Sequence, residues 1–541
     1  METGHPAADG TAPNAHRLLL AGSIGIFAAG AGFAVRGGIL DNWGAEFGFN
    51  ATQLGALAGA GFAGFCFGIV LGGLICDKLG YGRLVAVAFT LHVLSAVVTF
   101  GAAGLNAYLW LYWGMLMFGL ANGALEAVAN PLVATLFPTK RAHYLNLLHA
   151  SWPAGLVAGA AAGWLLDDQM NAGWWIQLSI YLIPTLAYGL LFLRQPMPRS
   201  EAAWRGLSLG EMLKDVGLLG SLVLALLLAL FTRDALGAPS SVAWSVAGVV
   251  LIATGGLTRF TTGSIILFAL LTAHLLLGAF ELGTDGWIQN ITGNILTPEQ
   301  GKLLFILASA TMFALRFSFG TIERHLKLSP LAVLLASAIL ACVGLTLASG
   351  MESFMGALVA LLIYAVGKAF LWPTMLAVAS DRFPATGAIA ISLMGGIGMM
   401  SGGLLGTPGL GYVKDSAAAS HLQQTDPQAS EAYRAERPSH FLFLDEIHGL
   451  DGAKLAAIQS RAAQARRDGI QPAFSTQEQA VHQASIAADR LTLRADALIP
   501  AMMAVIYLLL LLHFRRSSRV RPSSMPGELA VSAAADNGAI R

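Results

Sequence analysis

Two ionisable side chains stand inside long apolar stretches of this chain, at matching places. Glu126 lies five positions before Pro131, and Lys368 lies five positions before Pro373. A charge at bilayer depth costs at least ~2.5 kcal/mol on insertion scales, so it usually faces a partner or a watery cavity. Opposite charges at matching places in two segments therefore indicate a central pathway between two halves of the molecule.

Further charges lie within or near the same depth, at Arg36, Glu281, Asp285 and Arg316. Glu281 and Asp285 are four positions apart and so share one face of a helix. Two carboxylates this close require a cation, which Lys368, Arg316 or Arg36 can supply. The alternative is a set of static ion pairs that fix helix register. For Arg36, Glu281 and Asp285 a position at the outer membrane interface is a second alternative, because charges are tolerated there.

One histidine and one tryptophan add to this constellation. His149 stands beside Trp152 and Pro153 and is the histidine we favour as a proton relay. Aromatic residues at span ends are commonly interface anchors, but Trp372 is predicted near mid-span and can stack on a solute in a cavity.

The composition requires a membrane to explain it. The 541 residues are 55% hydrophobic and only 12% charged, whereas soluble domains average roughly a quarter charged residues. We therefore predict an all-α polytopic membrane protein with no nucleic-acid partner. No nucleophile–base set, phosphate-binding loop or metal-ligand cluster is recognisable, so we expect neither an enzyme nor a bound cofactor or metal.

A membrane span needs about 20 mostly apolar residues. On this criterion we predict about fourteen spans, of which the seventh and eighth are the least regular. They lie near 17–40, 53–76, 84–104, 107–137, 144–166, 173–194, 215–232, 241–257, 263–288, 302–322, 329–349, 353–380, 387–412 and 494–513.

Charged residues in the loops predict the orientation, because cytoplasmic loops are enriched in Lys and Arg. The basic loops carry Lys78, Arg83, Lys140, Arg141, Arg194, Arg199, Arg205, Arg324, Lys327, Arg515, Arg516 and Arg519. The alternate loops carry Asp41, Glu46, Asp167 and Asp168. Both termini are therefore predicted in the cytoplasm of a bacterial inner-membrane protein, and the polar segment 413–493 outside. Ser475 and Glu478 form a capping-box pattern that predicts a helix continuing towards the last span.

A repeat is visible within the chain. Pro131 and Pro373 are 242 positions apart, and the acid–base pairs that begin at Asp77 and Glu323 are 246 apart. Transporters are commonly built from such halves, with the solute site at the midplane between them. We therefore predict a six-helix half at 1–195, a linker with two inserted helices at 196–260, and a second six-helix half at 261–541.

The segment from Gly73 to Arg83, which includes Asp77, Lys78 and Gly80, resembles the signature loop of the major facilitator superfamily. It stands between the second and third predicted spans, where that family carries it. The resemblance implies a gating loop whose charges hold one half against the other in one state and release it in another.

A narrower resemblance is to the sugar–proton symporters of the fucose-permease branch. It is carried by Glu126, Asn130-Pro131 and Asn146, and by Pro373-Thr374 and Gly395-Gly396. It implies that Glu126 takes part in proton coupling and sugar binding. The acidic residue of that branch's first helix has no counterpart here, where Arg36 stands.

The sequence thus predicts a monomeric secondary active transporter for a small polar organic solute, first of all a sugar, coupled to protons by alternating access. A drug or organic-ion proton antiporter is one alternative. A non-transporting sensor on the same scaffold is the other.

Overall fold

The structure, a computed structural model, describes residues 13–47, 51–102, 106–163, 165–166, 170–198, 206–386, 388–436 and 438–520. Within these ranges the chain is helical apart from turns and two isolated β-bridges, Arg434–Leu450 and Ser439–Ile447. The predicted all-α fold is confirmed. Four residues used above for orientation lie outside the described part, namely Asp167, Asp168, Arg199 and Arg205.

The first half contains five long helices and three short ones. In chain order they are α1 (Ala15–Gly38), α2 (Leu40–Phe47), α3 (Ala51–Leu79), α4 (Tyr81–Phe100), α5 (Ala107–Leu136), α6 (Arg141–Gly163), α7 (Trp174–Ser179) and α8 (Leu182–Phe192). The short helices α7 and α8 together occupy the sixth predicted span.

The inserted segment and the second half follow. The insertion comprises α9 (Leu209–Met212), α10 (Gly217–Leu230) and α11 (Ser240–Thr258). The second half begins with α12 (Ile265–Ile295), α13 (Pro298–Leu326), α14 (Pro330–Ser349), α15 (Phe354–Lys368), α16 (Leu371–Arg382) and α17 (Ala388–Ser401). It ends with α18 (Thr407–Thr425), α19 (Pro427–Ala432), α20 (Gly452–Arg467), α21 (Thr476–Asp496) and α22 (Leu498–Val520).

Thirteen helical segments in the described ranges are long and apolar enough to cross a membrane. The remaining predicted span coincides with α6, which is long enough at 23 residues but more polar in composition. Its polar residues Asn146 and His149 are buried against other helices and do not face lipid. The helix pattern therefore matches two six-helix halves separated by an inserted pair.

The bundle has two faces. We call the face with Asp77, Arg141 and Asp381 the inner face, and the opposite face, with Glu46 and Asn294, the outer face. Several helices continue beyond the predicted span ends at the outer face. Helix α12 has 31 residues, about 46 Å at 1.5 Å per residue, which exceeds a hydrocarbon core of about 30 Å.

Residues 413–496 form a helical block at the outer face, which we call the outer unit. Its small core packs the end of α18 and α19 against α20 and α21 through Leu422, Ala429, Ile458, Val481 and Ala484. The predicted capping box at Ser475 and Glu478 is present and starts α21. The segment predicted as a polar loop is therefore largely helical, because α18 and α21 continue the neighbouring spans outwards.

Polar contacts attach the outer unit to α12. Lys414 of α18 donates to Asn290 of α12 at 3.0 Å. Lys414 also forms an ion pair with Asp489 of α21, 2.6 Å apart, which joins two helices of the outer unit itself and in which the Asp489 side chain is fully buried. Asn294 of α12 donates to the other oxygen of Asp489 at 2.5 Å. Thr284 of α12 donates to Asp496, the last residue of α21. Each of these contacts lies within the second half, so the outer unit belongs to that half.

The inserted pair packs beside the place where the two halves meet. Phe231, directly after α10, contacts the ring of Phe67 in α3 with centroids 5.6 Å apart. An apolar cavity of about 320 Å³ lies between α10, α11, α3 and α17. The inserted helices therefore cover one side of the contact between α3 and α17.

Candidate functional site

Arg316 is the residue that joins the two halves inside the membrane-spanning region. It is buried in α13, and its Nη2 donates to Glu281 Oε1 of α12 at 3.2 Å. Its Nε donates to the carbonyl oxygen of Ala369 at 2.6 Å. Its Nη1 donates to the carbonyl oxygen of His149 in α6 at 3.2 Å. The fork geometry of the guanidinium thus serves three acceptors, one of which belongs to the first half.

Lys368 forms the second buried ion pair. Its ammonium donates to Asp285 of α12 and lies 5.1 Å from the centre of the Tyr364 ring. The Asp285 side chain is 29% exposed, whereas that of Lys368 is 3% exposed. Glu281 and Asp285 share one face of α12 as predicted, and each has its own cation. Of the three cations considered from the sequence, Arg316 and Lys368 are therefore the partners.

Amide and imidazole groups from α5 and α6 lie on the other side of Arg316. Asn130 Oδ1 and His149 Nε2 are 2.9 Å apart and share a hydrogen bond. Asn146 Nδ2 donates to Thr374 Oγ1 in the second half at 3.2 Å and to the carbonyl oxygen of Ala142 at 2.8 Å. Asn146 and Thr374 therefore make a second polar contact between the halves.

Glu126 is buried in α5 and forms no ion pair within the part of the chain that the structure describes. One carboxylate oxygen, Oε2, has no hydrogen-bond partner there. Arg316 lies within electrostatic range of it. The two residues that stand at matching places in the sequence, Glu126 and Lys368, are thus not paired, because Asp285 is closer in register to Lys368 on the neighbouring helix α12.

Trp372 and His274 pack together in the second half. Their ring centroids are 4.6 Å apart at an interplanar angle of 63°. Both residues are buried, and neither ring nitrogen of His274 has a hydrogen-bond partner among the described residues. His274 lies within electrostatic range of His149, so this pair borders the polar groups around Arg316.

We call the set that meets around Arg316 the central cluster. It unites eight residues from five helices, namely Glu126, Asn130, Asn146, His149, Glu281, Asp285, Arg316 and Lys368. Buried polar atoms without a partner in the described ranges recur in it, at Glu126 Oε2, Asn130 Nδ2, Asn146 Oδ1 and Glu281 Oε2. Buried polar groups are normally satisfied, so these atoms indicate a place where a solute or water can bind.

Arg36 lies apart from the central cluster, within the first half. Its Nη2 donates to Ser95 Oγ at 3.3 Å and to the hydroxyl of Tyr181 at 3.5 Å. Its guanidinium carbon is 4.1 Å from the centre of the Phe118 ring. Arg36 is therefore not the partner of the α12 carboxylates, and the expectation that it lies near the outer membrane interface stays a prediction. Aromatic and hydroxyl groups surround this cation instead.

The signature loop, residues 73–83, meets the second half at the inner face. Asp77 Oδ2 accepts a hydrogen bond at 3.1 Å from the amide of Ala388, the first residue of α17. Gly80 has a φ of 85°, a left-handed conformation that suits glycine and turns the chain from α3 into α4. Lys78 and Arg83 are exposed and line a groove of about 530 Å³ beside the loop.

Two glycines allow the halves to approach closely near this face. A Cβ at Gly73 would stand 2.1 Å from Ser392 Cβ in α17, and one at Gly320 would stand 2.3 Å from a ring nitrogen of His143 in α6. Arg141 also donates to Asp381 across the halves at 2.8 Å. The inner face is therefore closed in this structure.

Several polar residues that the sequence reading did not select have defined places. His92 joins Tyr188 and Asn122, each at 2.8 Å, in the network that adjoins Arg36. Asp489 and Asp496 lie on the buried face of α21. The available signal for the two acids is their spacing of seven, which repeats every two helical turns and places them on one face.

A membrane-spanning helical fold in two halves, with a buried charged cluster at their contact, defines a membrane transporter as the class of this protein. The chain belongs to the major facilitator superfamily, since the model of that family matches residues 22–407. It is therefore a multi-pass membrane protein of a transporter family and not an enzyme, as the sequence predicts.

Solved structures share the fold at low sequence identity. The transporter FucP in its outward conformation is 16% identical, covers 74% of this chain and 92% of its own, and superposes with a TM-score of 0.55. The proton:xylose symporter XylE is 15% identical. The match covers 75% of this chain and 90% of XylE, with a TM-score of 0.54. The human organic anion transporter MFSD10 is 16% identical. The match covers 91% of this chain and 100% of MFSD10, with a TM-score of 0.52.

One curated relative matches part of the sequence. The cis,cis-muconate transport protein of Acinetobacter baylyi is 32% identical over 165 residues, which is 30% of this chain. The match spans 37% of the length of that relative.

Proposed function

We propose that this protein is a proton-coupled secondary transporter that moves a small organic solute by alternating access. The observation that carries the proposal is the position of Arg316, whose guanidinium binds Glu281 in one half and the His149 carbonyl in the other. A side chain with partners in both halves makes their relative position depend on the charge and occupancy of the site. Alternating access requires that dependence.

The accessible side in this structure is the outer face. At the inner face the halves are in contact through Asp77, Arg141 and Asp381. At the other end of the cluster, Asp285 lines a cavity of about 560 Å³ that extends into the outer unit. A solute therefore reaches Asp285 and Lys368 from the outer face in this state.

The solute class that we propose is a small organic carboxylate. Arg316 and Lys368 each hold a carboxylate of the protein, and a carboxylate of the solute suits the same donors. When such a solute replaces Asp285 on Lys368, the displaced carboxylate is 29% exposed and can stay hydrated. When it replaces Glu281 on Arg316, Glu281 must take up a proton, so that no charge is left buried alone. The partial relative, a cis,cis-muconate transport protein, supports this class because muconate is a dicarboxylate.

A sugar is the second candidate. The Nδ2 of Asn130 and the Oδ1 of Asn146 are a donor and an acceptor without partners in the described ranges, and sugar hydroxyls suit both. Trp372 borders the same region and offers a face on which a sugar ring can stack. FucP, a fucose:proton symporter, and XylE, a proton:xylose symporter, add support at the level of the fold.

Glu126 is the proton carrier in this proposal. It is the buried acid of the central cluster without an ion pair among the described residues. An uncompensated charge at membrane depth is costly, and a bound proton removes that charge. His149, hydrogen-bonded to Asn130 one helical turn from Glu126, is the proposed relay.

Uptake by the purified protein in proteoliposomes tests the proposal. We expect an acidic exterior to drive uptake of labelled cis,cis-muconate, and uptake to stop when an ionophore removes the pH gradient. Uptake of xylose or fucose in place of muconate would favour the second candidate. Solute efflux driven by an inward proton gradient would favour an antiporter, and binding without flux a sensor.

The orientation and assembly are part of the same proposal. We propose that the inner face is cytoplasmic, with both termini there, and that the protein is a monomer in a bacterial inner membrane. The exposed basic residues Lys78, Arg83 and Arg324 at the inner face support this orientation. Labelling of a cysteine introduced at Arg324 in intact cells and in inverted vesicles tests it, and labelling in intact cells alone would contradict it.

A further inference from the structure

The outer unit and the outer ends of α12 and α13 enclose a polar cavity of about 560 Å³. Ligand pockets commonly have volumes between about 300 and 1,000 Å³, so the space is large enough for a small organic molecule. Asp285, the partner of Lys368, lies in its wall. The cavity and the central cluster therefore share one residue.

The charge of the cavity wall is positive. Among the described residues that line it, Lys302 and Arg466 are basic and Asp285 is the acid. Asp285 is already neutralised by Lys368, so the two remaining cations are uncompensated within the wall. Amide side chains also line the cavity, among them Gln289, Asn290 and Gln459. Amides and cations together suit a carboxylate, which accepts hydrogen bonds from both.

Arg466 is held in place before any solute arrives. Its Nη1 donates to the carbonyl oxygens of Asn294 and Ile295, at 3.5 and 3.3 Å, where α12 ends. Cations are favoured at a helix C-terminus, so the guanidinium is positioned without a carboxylate partner in the described ranges. A cation fixed in this way loses little freedom when it binds an anion.

The lining residues all belong to the second half, which includes the outer unit. The hydrogen bonds of Asn294 to Asp489 and of Lys414 to Asn290 hold the outer unit on α12. When the halves move relative to each other, the cavity therefore moves as a body with the second half. It remains formed while the central cluster changes its access.

We propose that this cavity is a second binding site for organic carboxylates, at which Arg466 and Lys302 receive the solute before it reaches Lys368. The inference deepens the proposed function and rests on it for the solute class. Since Asp285 borders both sites, the solute passes from the cavity to the central cluster when Lys368 exchanges one carboxylate for another.

Equilibrium binding of cis,cis-muconate to the purified full-length protein, measured calorimetrically, tests the inference. We expect two sites in the wild type and one in Arg316→Gln, in which the central cluster is disabled. Adding Arg466→Gln to Arg316→Gln should weaken the remaining site about tenfold, the effect of losing one charged hydrogen bond. The matched control is Arg434→Gln, a 48% exposed arginine of the outer unit outside this cavity, and should leave binding unchanged.

The same comparison in uptake does not depend on the stability of the Arg316 variant. In an otherwise wild-type protein, Arg466→Gln and Lys302→Gln should each raise the KM for muconate and leave kcat unchanged. Wild-type affinity and KM in the Arg466 and Lys302 variants would overturn the inference, as would the absence of muconate binding to the wild type. Binding that depends on Arg466 without any flux would support the cavity and overturn the proposed transport function instead.

Discussion

The guanidinium of Arg316 and the main-chain oxygen of His149 are 3.2 Å apart, and this hydrogen bond crosses from one half of the protein to the other. The same guanidinium binds Glu281, so one side chain touches both the charge of the second half and the backbone of the first. Any event that changes the charge at Glu281 also changes how Arg316 holds α6. In the proposed cycle the central cluster couples ionisation to the contact between the halves.

Replacing Arg316 should abolish transport. In Arg316→Gln the Glu281 carboxylate loses its cation, and breaking one partner of a buried pair costs about 3–5 kcal/mol. Arg316→Lys keeps the charge, but an ammonium lacks the planar guanidinium that reaches all three acceptors of Arg316. This variant should therefore be more stable than Arg316→Gln and still fail in uptake. Thermal unfolding and proteoliposome uptake measure the two effects. Arg233→Gln, at an exposed pair with Asp234, is the control and should change stability by less than about 1 kcal/mol.

Glu126→Gln should separate transport from the proton gradient. The amide has nearly the shape of the protonated acid, so we expect stability to be unchanged and uptake to lose its response to an imposed pH gradient. Counterflow exchange of solute, which needs no net proton movement, should persist. Glu281→Gln is the contrasting variant, because it leaves Arg316 without its carboxylate and should lower the unfolding temperature. Gradient-driven uptake by Glu126→Gln at the wild-type rate would contradict the assignment.

Cys66 offers a native reporter of the contact between α3 and α17. Its thiol is buried and points to the carbonyl oxygen of Gly396 across the halves, at 3.7 Å. In a background without the other two cysteines, its alkylation should be slow in this closed state. Gly73→Val should speed it markedly, because the added side chain collides with Ser392 and keeps the halves apart.

The ion pair of Arg141 and Asp381 at the inner face should contribute less to holding the halves together than the close packing at Gly73 does. Asp381→Asn removes the partner of Arg141, whose side chain is 17% exposed. Exposed pairs contribute about 0.2–1 kcal/mol, so the alkylation rate of Cys66 should rise less than about sixfold. The Gly73→Val variant serves as the positive control. A larger effect for Asp381→Asn than for Gly73→Val would show that charge and not close packing holds the inner face shut.

The outer unit should depend on Asp489. Removing one partner of its buried pair with Lys414 in Asp489→Ala should cost about 3–5 kcal/mol. We expect trypsin to cleave residues 413–496 faster in this variant, with the membrane helices still protected. Glu431→Ala, at a largely exposed pair with Arg434, is the matched control. Equal cleavage rates for Asp489→Ala and wild type would contradict the role of Asp489 in holding the outer unit together and on α12.

Spacing along a single helix was readable from the sequence, and partners between helices were not. The four-residue interval between Glu281 and Asp285 predicts their common face on α12, and the structure confirms it. Which cation meets which carboxylate depends on the relative height of α12, α13 and α15, and no local pattern encodes that. The repeat suggested Glu126 and Lys368 as counterparts, but internal symmetry relates positions and does not require contact.

Contacts between distant parts of the chain, which no local pattern encodes, also determine the surroundings of Arg36 and of the outer unit. The sequence around a cation near a span end does not show whether its side chain turns into the helix bundle or lies at the membrane interface. The rings of Phe118 and Tyr181 that surround Arg36 come from distant parts of the chain. Likewise, the polar composition of residues 413–493 predicts exposure to water. It does not predict that α18 extends its span outwards, whereas the capping-box pattern at Ser475 and Glu478 does predict that α21 continues towards the last span. The meeting of Lys414, Asp489 and Asn294 depends on distant parts of the chain and has no local pattern.

The inserted pair separates the contact between the halves from the lipid on one flank of the transporter. Phe231 and the helices α10 and α11 cover the contact of α3 with α17 on one flank, and the space beneath them is lined almost entirely by apolar side chains. When the halves part at the inner face, acyl chains on that flank meet protein before they meet the gap. The passage is thus shielded from sideways entry of lipid there, and the solute's route stays aqueous.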